Sequence, residues 1–309
     1  MDAIVGFTGL PDKELLSLMA AQLRHRGLPR DDQSVETECI SVQRLEYSDR
    51  HGVGRRLKPF WHADGDVSIL LCGYVTRVGD LPEDDRPTLS DLARQYRDEG
   101  LNAFRRLHGA YVLVVLDHRR RQWQLIRDGA GVRTVFYACT KSRAESKRWL
   151  FASEPKAITV LPEFSRRVRP AAIAQYLSFS FVPGKGTMLE DLYELPLGHA
   201  VTLSADNAPR LTNLFPFEQE EWGTNDTATA IDERHWVGET RRVIGDAVAR
   251  RLPPRETVGV FLSGGLDSSI VAAEVARQHD GPVKTYAIHF GRGYPNELEF
   301  ARQVADRIG

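Results

Sequence analysis

Seven residues near the end of the chain carry the clearest chemical signal. They read Ser-Gly-Gly-Leu-Asp-Ser-Ser at 263–269, directly after the apolar run VFL at 260–262. Glycines let a backbone turn tightly and approach an anion, because no Cβ stands in the way. If a helix begins at once, the free N–H groups of its first turn point at the anion and the helix dipole favours its charge. The pattern predicts a phosphate-binding loop, to which Ser263, Ser268 and Ser269 add hydroxyl donors.

Asp267 is the acidic residue of this loop. A carboxylate is a poor phosphate contact, so it fits either the start of a helix or a ligand to the Mg2+ that accompanies a triphosphate. The loop lacks the glycine-lysine pair of the Walker motif, so binding must depend on backbone dipoles, hydroxyls and metal. An ordinary strand-to-helix turn rich in Gly and Ser is the alternative interpretation.

Alternating strand and helix patterns surround the loop. A strand is predicted at 257–262, a helix at 266–278, a second strand at 283–290 and a helix at 296–308. This order makes one βαβ unit with an added helix, and it implies a parallel sheet.

The first two hundred residues have a different pattern, mostly short strands with a few helices. A helix is predicted at 14–26, and a hairpin that turns at 118–121. Few aliphatic residues and several helix breakers at 218–233 predict a linker between domains. The predicted organisation is an α+β domain at 1–217, this linker, and a second domain at 234–309.

Strand, loop and helix together resemble the pyrophosphate-binding loop of the ATP pyrophosphatase domains in asparagine synthetases, β-lactam synthetases and lasso-peptide macrolactam synthetases. KTYAIHF at 284–290 is similar to the family's next strand, and NELEFARQVADRIG at 296–309 is similar to its following helix. The resemblance implies an ATP site, with Mg2+ at Asp267 and adenine beside the backbone near Ile288. The ATP-binding residues that it implies are Leu262, Ser263, Gly264, Gly265, Leu266, Asp267, Ser268, Ser269 and Ile288.

The N-terminal half is similar to the glutaminase domain of the same family. AIVGF, LRHRG, RLHGAYVLVVLD, IRDGAGVRTVFY, FASEPKAI and DLYELPLGHAVTL occur in the family's order. The resemblance implies an α+β N-terminal nucleophile hydrolase-like αββα domain, followed by a Rossmann-like α/β ATP-pyrophosphatase domain. In the family this second domain continues further, so the one here is expected to be truncated, and a complementary chain is one source of the remainder.

The glutaminase motifs depart from the family at the positions that perform its chemistry. A working member has a cysteine nucleophile after the initiator methionine, and here that position is Asp2, which cannot form a thioester. The family's Asn-Gly-Glu corresponds to Cys72, Gly73 and Tyr74, and a tyrosine cannot accept the substrate ammonium as the glutamate does.

Two more positions of the glutamine pocket are assigned by the same resemblance. The family's later acidic residue aligns with Thr88, whereas Arg44 still matches the arginine that holds the glutamine carboxylate. The expected result is a degenerate pocket without glutaminase activity and with no certain catalytic residue. Its members are Arg44, Cys72, Gly73, Tyr74 and Thr88.

The resemblance implies an ATP-dependent ligase that adenylates a carboxylate and passes it to an amine. A specialised cyclase is slightly favoured, such as a lasso-peptide macrolactam synthetase acting on a precursor peptide. An asparagine synthetase using glutamine or ammonia, and a non-catalytic scaffold or subunit of a split enzyme, remain open. Whether the chain forms a homodimer is also open.

Charged residues outside these motifs are interpreted as structural. Arg127 and Asp128, at a strand end, are predicted to form a buried ion pair. Arg26 in LRHRG and Glu154 in FASEPKAI are assigned to a helix end and a helix start.

Composition limits the class of protein. Lys and Arg number 41 against 42 Asp and Glu, so sequence-independent nucleic-acid binding is not expected. Three widely spaced cysteines, Cys39, Cys72 and Cys139, fit the reduced thiols of a cytoplasmic protein. The N-terminus turns polar too early for a signal peptide, and no apolar run reaches the roughly 20 residues of a membrane span.

Overall fold

The structure is a computed structural model that describes residues 2–46, 60–78, 88–141, 147–204, 207–215, 233–253, 255–289, 291 and 296–309. The chain divides into two compact units, Met1–Glu218 and Gln219–Gly309. The predicted linker at 218–233 lies outside the described residues, except for Glu233. The predicted domain boundaries therefore stay predictions.

The first unit contains most of the strands. Its elements in chain order are β1 (Ala3–Thr8), α1 (Lys13–Ala21), β2 (Leu28–Glu36), β3 (Ile40–Glu46), β4 (Trp61–Asp64), β5 (Val67–Val78), α2 (Leu89–Glu99), β6 (Leu107–Asp117), β7 (Gln122–Arg127), β8 (Phe136–Lys141), β9 (Lys147–Ala152), α3 (Lys156–Thr159), α4 (Pro170–Phe179), β10 (Leu192–Glu194), β11 (His199–Leu203) and β12 (Arg210–Asn213). Two 3-10 helices lie at Arg24–Arg26 and Gly100–Arg106. The second unit contains α5 (Glu233–Ala249), β13 (Val258–Phe261), α6 (Leu266–Gln278), β14 (Val283–Tyr286) and α7 (Leu298–Ile308). Within the described residues, none of these helices has the length and apolarity of a bilayer span.

Two six-stranded sheets form the first unit. The first sheet has the strand order β10-β8-β9-β1-β3-β2, and the second has the order β12-β11-β7-β6-β5-β4. Their described pairings are antiparallel. The predicted hairpin is confirmed, because β6 ends at Asp117 and β7 begins at Gln122.

The two sheets pack face to face and helices cover their outer faces. On the first sheet, Phe7 of β1 packs with Met19 of α1, and on the second, Val115 of β6 packs with Leu92 of α2. The result is the predicted αββα arrangement. Side chains of the core between the sheets include Ile4, Val42, Leu70, Val114, Leu125 and Phe151.

Local interactions determine where the helices begin and end. The hydroxyl of Thr88 accepts the N–H of Asp91 at 3.1 Å, and the Asp91 carboxylate accepts the N–H of Thr88 at 3.0 Å. This capping box begins α2. The helix predicted at 14–26 is wrong at its end, because α1 stops at Ala21. A separate 3-10 turn follows at Arg24–Arg26 and carries its side chains to Glu154.

The second unit is built on one parallel strand pair. β13 and β14 pair in register from Val258 opposite Val283 to Phe261 opposite Tyr286. The predicted strand at 283–290 is shorter in the structure, since β14 ends at Tyr286. The two strands and α6 confirm the βαβ unit. Its small core consists of Val248, Val260, Leu262, Ala272, Val275 and Ala301.

Candidate functional site

The predicted phosphate loop joins the end of β13 to the start of α6. Leu262 is buried and anchors the loop, because its N–H donates to the carbonyl of Tyr286 at 2.8 Å. Gly264 has a φ of +84°, and a Cβ at this position would lie 2.4 Å from the Cβ of Phe300. Both the backbone angle and the neighbouring helix α7 therefore require glycine. Gly265 then occupies the N-cap of α6.

Serine hydroxyls hold the loop in shape. The hydroxyl of Ser263 accepts the N–H of Gly265 at 3.2 Å and lies 3.0 Å from the hydroxyl oxygen of Ser268. Ser268 and Ser269 both donate to the carbonyl of Gly265, at 3.2 and 2.7 Å. In the described part of the chain, no acceptor is found for the N–H groups of the first two residues of α6. The loop thus offers free backbone donors and three hydroxyls at one corner.

Two hollows adjoin opposite faces of helix α7. One measures about 580 Å³ and is lined by Leu262 and Ala287, at the ends of β13 and β14. The other measures about 440 Å³ and is lined by Gly264 and Ser269. Both volumes lie within the range of small-molecule sites, about 300–1,000 Å³. Ile288 follows Ala287 and is exposed.

Asp267 lies in the first turn of α6 and is exposed. The described residues contain no group of three or more His, Cys, Asp or Glu side chains that could hold a metal ion. A single carboxylate nevertheless fits Mg2+, which usually takes its other ligands from substrate phosphates and water. The chemistry of the loop is thus compatible with a metal that arrives with a nucleotide.

The position of the family's nucleophile lies at the start of β1. The Arg133 guanidinium Nη1 donates to the carbonyl of Asp2 at 2.9 Å. Cys72 is buried between the two sheets. Burial raises the pKa of its thiol to about 11, although the positive charges of Arg133 and Arg44 oppose the rise. The thiol therefore stays protonated near neutral pH and is a poor replacement for the missing nucleophile.

The next pocket residues follow one another on β5, which pairs regularly with β6 from Cys72 to Val75. Gly73 has a φ of +104°, and a Cβ there would lie 2.1 Å from a carbonyl oxygen of β6. Cys72 is buried between the sheets, whereas Tyr74, two residues further along the same strand, is exposed. Arg44 is buried on β3, and its guanidinium lies 5.2 Å from the centre of the Phe60 ring. The structure thus keeps the predicted carboxylate-binding arginine inside the fold.

Thr88 is the member of the predicted pocket that the structure sets apart. It caps α2, and the apolar face of that helix packs on the outer side of the second sheet, whereas Cys72 lies between the sheets. The described contacts tie Thr88 to Asp91 and not to the other predicted pocket residues. Its place in the pocket stays a prediction.

Comparison with known families decides the assignment. The family model for the glutamine amidotransferase domain matches residues 1–213, more than half of the chain. The family model for asparagine synthase matches residues 239–309. The chain belongs to the asparagine synthetase family. The resemblance seen in the motifs is confirmed, together with the αββα domain and the ATP-pyrophosphatase type of the domain that follows it.

Curated members of the asparagine synthetase family are similar along most of this chain. Asparagine synthetase (glutamine-hydrolyzing) 1 of Bacillus subtilis is 25% identical, and the match covers 96% of this chain and 46% of that relative. The human asparagine synthetase (glutamine-hydrolyzing) is 31% identical over 66% of this chain and 34% of its own length. Among solved structures, the glutamine phosphoribosylpyrophosphate amidotransferase of B. subtilis has a TM-score of 0.41 at 13% identity, covering 95% of this chain and 68% of that one. This chain spans less than half the length of the two curated relatives.

Sequence analysis of this asparagine synthetase-family chain missed a cluster around Glu154. Its carboxylate lies 2.9 Å from His25 Nε2, 3.2 Å from Arg26 Nη1 and 3.1 Å from Lys156 Nζ. Burial opposes ionisation, but hydrogen bonds from His25 and Lys156 outweigh it and hold the pKa of Glu154 below its ordinary value. The cluster joins the 3-10 turn to the start of α3. The residues of this cluster come from two segments that the sequence analysis quoted, LRHRG and FASEPKAI. The sequence alone does not show that these two segments lie in contact.

The predicted ion pair between Arg127 and Asp128 is wrong. Both residues are buried, but the Asp128 carboxylate accepts three backbone N–H groups at 3.0–3.3 Å. Arg127 instead forms an ion pair with Glu194 of β10 at 2.8 Å. Because backbone N–H groups already satisfy the Asp128 carboxylate, the Arg127 guanidinium is free to pair with Glu194. This pair bridges the two sheets, since β7 and β10 belong to different ones. The loop that Asp128 shapes also carries Arg133, a support of Asp2 that sequence analysis did not single out.

Proposed function

We propose that this chain is part of an ATP-dependent ligase that forms amide bonds by adenylating a carboxylate. The proposal depends on the loop between β13 and α6, where free backbone N–H groups and three serine hydroxyls lie at one corner. Gly264 keeps that corner clear of side chains. Backbone donors at a helix N-terminus suit the pyrophosphate part of ATP.

The proposed reaction has two steps. A carboxylate oxygen of the substrate attacks the α-phosphorus of ATP, the α–β phosphoanhydride bond breaks, and pyrophosphate leaves. An amine then attacks the acyl carbon, loses a proton and displaces AMP. The free N–H groups of the loop stabilise the charge that develops on pyrophosphate, and the serine hydroxyls can join them by turning their protons away from the Gly265 carbonyl. Mg2+, held by Asp267 and the phosphates, would supply further positive charge there.

We assign the adenine to the hollow of about 580 Å³ beside Leu262 and Ala287. Leu262 leads directly into the phosphate loop, so a nucleotide bound there has its phosphates near Ser263. The exposed apolar side chain of Ile288 stands next to this hollow in the chain and can cover one face of the base.

We infer that the amine does not come from glutamine. Asp2 replaces the cysteine nucleophile, Tyr74 replaces the ammonium acceptor, and the Cys72 thiol has a pKa of about 11. The amine is then free ammonia or an amine of the substrate itself. We favour a substrate amine, as in lasso-peptide macrolactam synthetases. Asparagine synthesis from aspartate with ammonia or glutamine is the alternative.

Two measurements test the proposal. With Mg2+ present, the chain should bind ATP and pyrophosphate, and an active assembly should exchange labelled pyrophosphate into ATP when its carboxylate substrate is added. A lack of affinity for both ATP and pyrophosphate would rule out the nucleotide site. Release of glutamate from glutamine at about 1 per second or faster would overturn the inference of an inactive pocket.

A non-catalytic or partner subunit is the second candidate function. Phe261, Tyr286 and Ile288 are 77%, 53% and 67% exposed, so the second unit carries apolar surface that a complementary chain would cover. Pyrophosphate exchange that needs a second polypeptide favours this candidate. For both candidate functions we place the protein in the cytoplasm, because all three cysteines are free thiols.

A further inference from the structure

A polar hollow on the first unit has no part in the proposed ligase chemistry. It measures about 410 Å³ and lies on the outer face of the second sheet, beside the point where α2 ends at Gly100. Thr202 of β11 stands opposite both Gln124 of β7 and Arg210 of β12. Directly opposed residues of neighbouring strands share a face, so these three form one row. Val115 continues the row and packs against α2, which identifies the face as the outer one.

Gln124 supplies a buried acceptor in this hollow. The residue is 5% exposed, and among the residues that the structure describes none donates a hydrogen bond to its Oε1. The hydroxyl of Tyr96, which also lines the hollow, donates its one proton to Asp117 Oδ2 at 3.3 Å. Gln124 Oε1 is thus a buried acceptor that lacks a described donor, in a residue that lines the hollow.

Arg210 supplies positive charge at the rim of the same hollow. Its side chain is exposed, and the described residues provide no ion-pair partner for it. Arg120 also lines the hollow, but its guanidinium is paired with Asp117 at 2.8 Å. Charge is therefore available from Arg210, while Arg120 is already neutralised.

We propose that this hollow binds a small organic carboxylate that also carries an amide N–H. The carboxylate pairs with Arg210 and the N–H donates to Gln124 Oε1. Neighbouring strands lie about 4.8 Å apart, so the backbones of β7 and β12 are separated by about 10 Å. Both side chains are long and reach into this gap, so a monoamide of a short dicarboxylic acid can contact both. The cavity has the volume of a small-molecule site.

Three related probes test the two contacts by titration calorimetry. Succinamate has one carboxylate and one amide, succinamide has two amides, and succinate has two carboxylates. Succinamate is expected to bind with a Kd of about 1 mM or tighter, and each of the other two at least about tenfold more weakly. Succinamate lacks the α-ammonium of glutamine, which separates this hollow from the old glutamine pocket. Absence of succinamate binding, or equal binding of succinamide, overturns the proposal.

Variants locate the binding. Arg210→Gln and Gln124→Met should each weaken succinamate binding at least about tenfold. Arg105→Gln is the matched control, because Arg105 is an exposed arginine that does not line the hollow. Unchanged affinity in Arg210→Gln, or in a folded Gln124→Met, overturns the assignment. If Gln124→Met does not fold, as judged by its thermal melting curve, the result for the exposed Arg210 decides alone.

Discussion

The old glutamine pocket and the phosphate loop differ in where their binding groups come from. The pocket depended on side chains, and here Asp2 and Tyr74 stand where the family has its nucleophile and its ammonium acceptor. The buried arginines Arg44 and Arg133 remain, and Arg133 is bonded to the backbone of Asp2. The proposed phosphate loop would bind mainly through its own backbone. If the pocket is inactive, as we propose, the comparison indicates that a fold can persist after its side-chain chemistry is lost, whereas backbone donors remain as long as the turn does.

The two units also differ in how much apolar surface they bury. Two sheets and their helices give the described part of the first unit three apolar clusters, and Cys72 of the predicted pocket belongs to one of them. The second unit has one small cluster around two strands, and Phe261 and Tyr286 on those strands are exposed. The predicted glutamine pocket thus lies in the unit with the larger apolar core, and the phosphate-loop motif lies in the unit with the smaller one.

The sharpest test of this comparison is Gly264→Ala, which should weaken MgATP binding at least about 100-fold. The added Cβ would meet Phe300, and alanine disfavours a φ of +84°. Calorimetric titration measures the effect. Gly238→Ala is the matched control, because nothing lies within 4 Å of a Cβ at that helical position. Normal ATP affinity in Gly264→Ala would show that the turn does not hold the nucleotide.

Thiol reactivity tests whether the pocket has kept a nucleophile. At pH 8, a thiol with a pKa of about 11 is about 0.1% thiolate, whereas an ordinary thiol is about a quarter ionised. Iodoacetamide should therefore label Cys72 at least about 100-fold more slowly than the exposed Cys39, as measured by mass spectrometry. The Cys72 rate should rise about tenfold for each pH unit below pH 11. Equal rates at pH 8 would mean that the pocket contains an activated thiol.

Arg133→Met tests whether the retained arginines support the fold. Loss of the hydrogen bond to Asp2 from a buried guanidinium should lower the free energy of unfolding by about 2 kcal/mol, measured in urea. Arg105→Met is an exposed control and should change stability by no more than about 0.5 kcal/mol. Equal stability of the two variants would instead favour a ligand-binding role for Arg133.

The smallest effect is expected for Glu154→Gln, about 1 kcal/mol of unfolding free energy at pH 7. Hydrogen bonds from His25 and Lys156 lower the pKa of Glu154 against the effect of burial. A carboxyl with a lowered folded-state pKa stabilises the fold above its unfolded pKa of about 4.3, and this contribution is lost as pH falls through the folded value. Urea unfolding at pH 7 and pH 3.5 should show a smaller difference between parent and variant at the lower pH. A pH-independent difference would assign the effect to packing.

The parts of the molecule that are contiguous in sequence were the predictable ones. The phosphate loop could be recognised because strand, glycines and helix follow one another within SGGLDSS and its flanks. Contacts between strands that are distant in sequence could not be predicted, because a single sequence does not show which residues of two paired strands lie opposite each other. The pair between Arg127 and Glu194, the support of Asp2 by Arg133, and the row through Gln124 depend on that register.

Helix α7 packs against the predicted phosphate loop, because Phe300 leaves no room for a Cβ at Gly264. Residues of α7 thereby limit the shape of the turn, although the described hydrogen bonds of the turn are all made within it. A peptide that ends before Leu298 would keep the whole SGGLDSS motif, but the turn would lose its packing against α7. Grafting this motif into another scaffold would therefore require transplanting the helix as well as the seven residues.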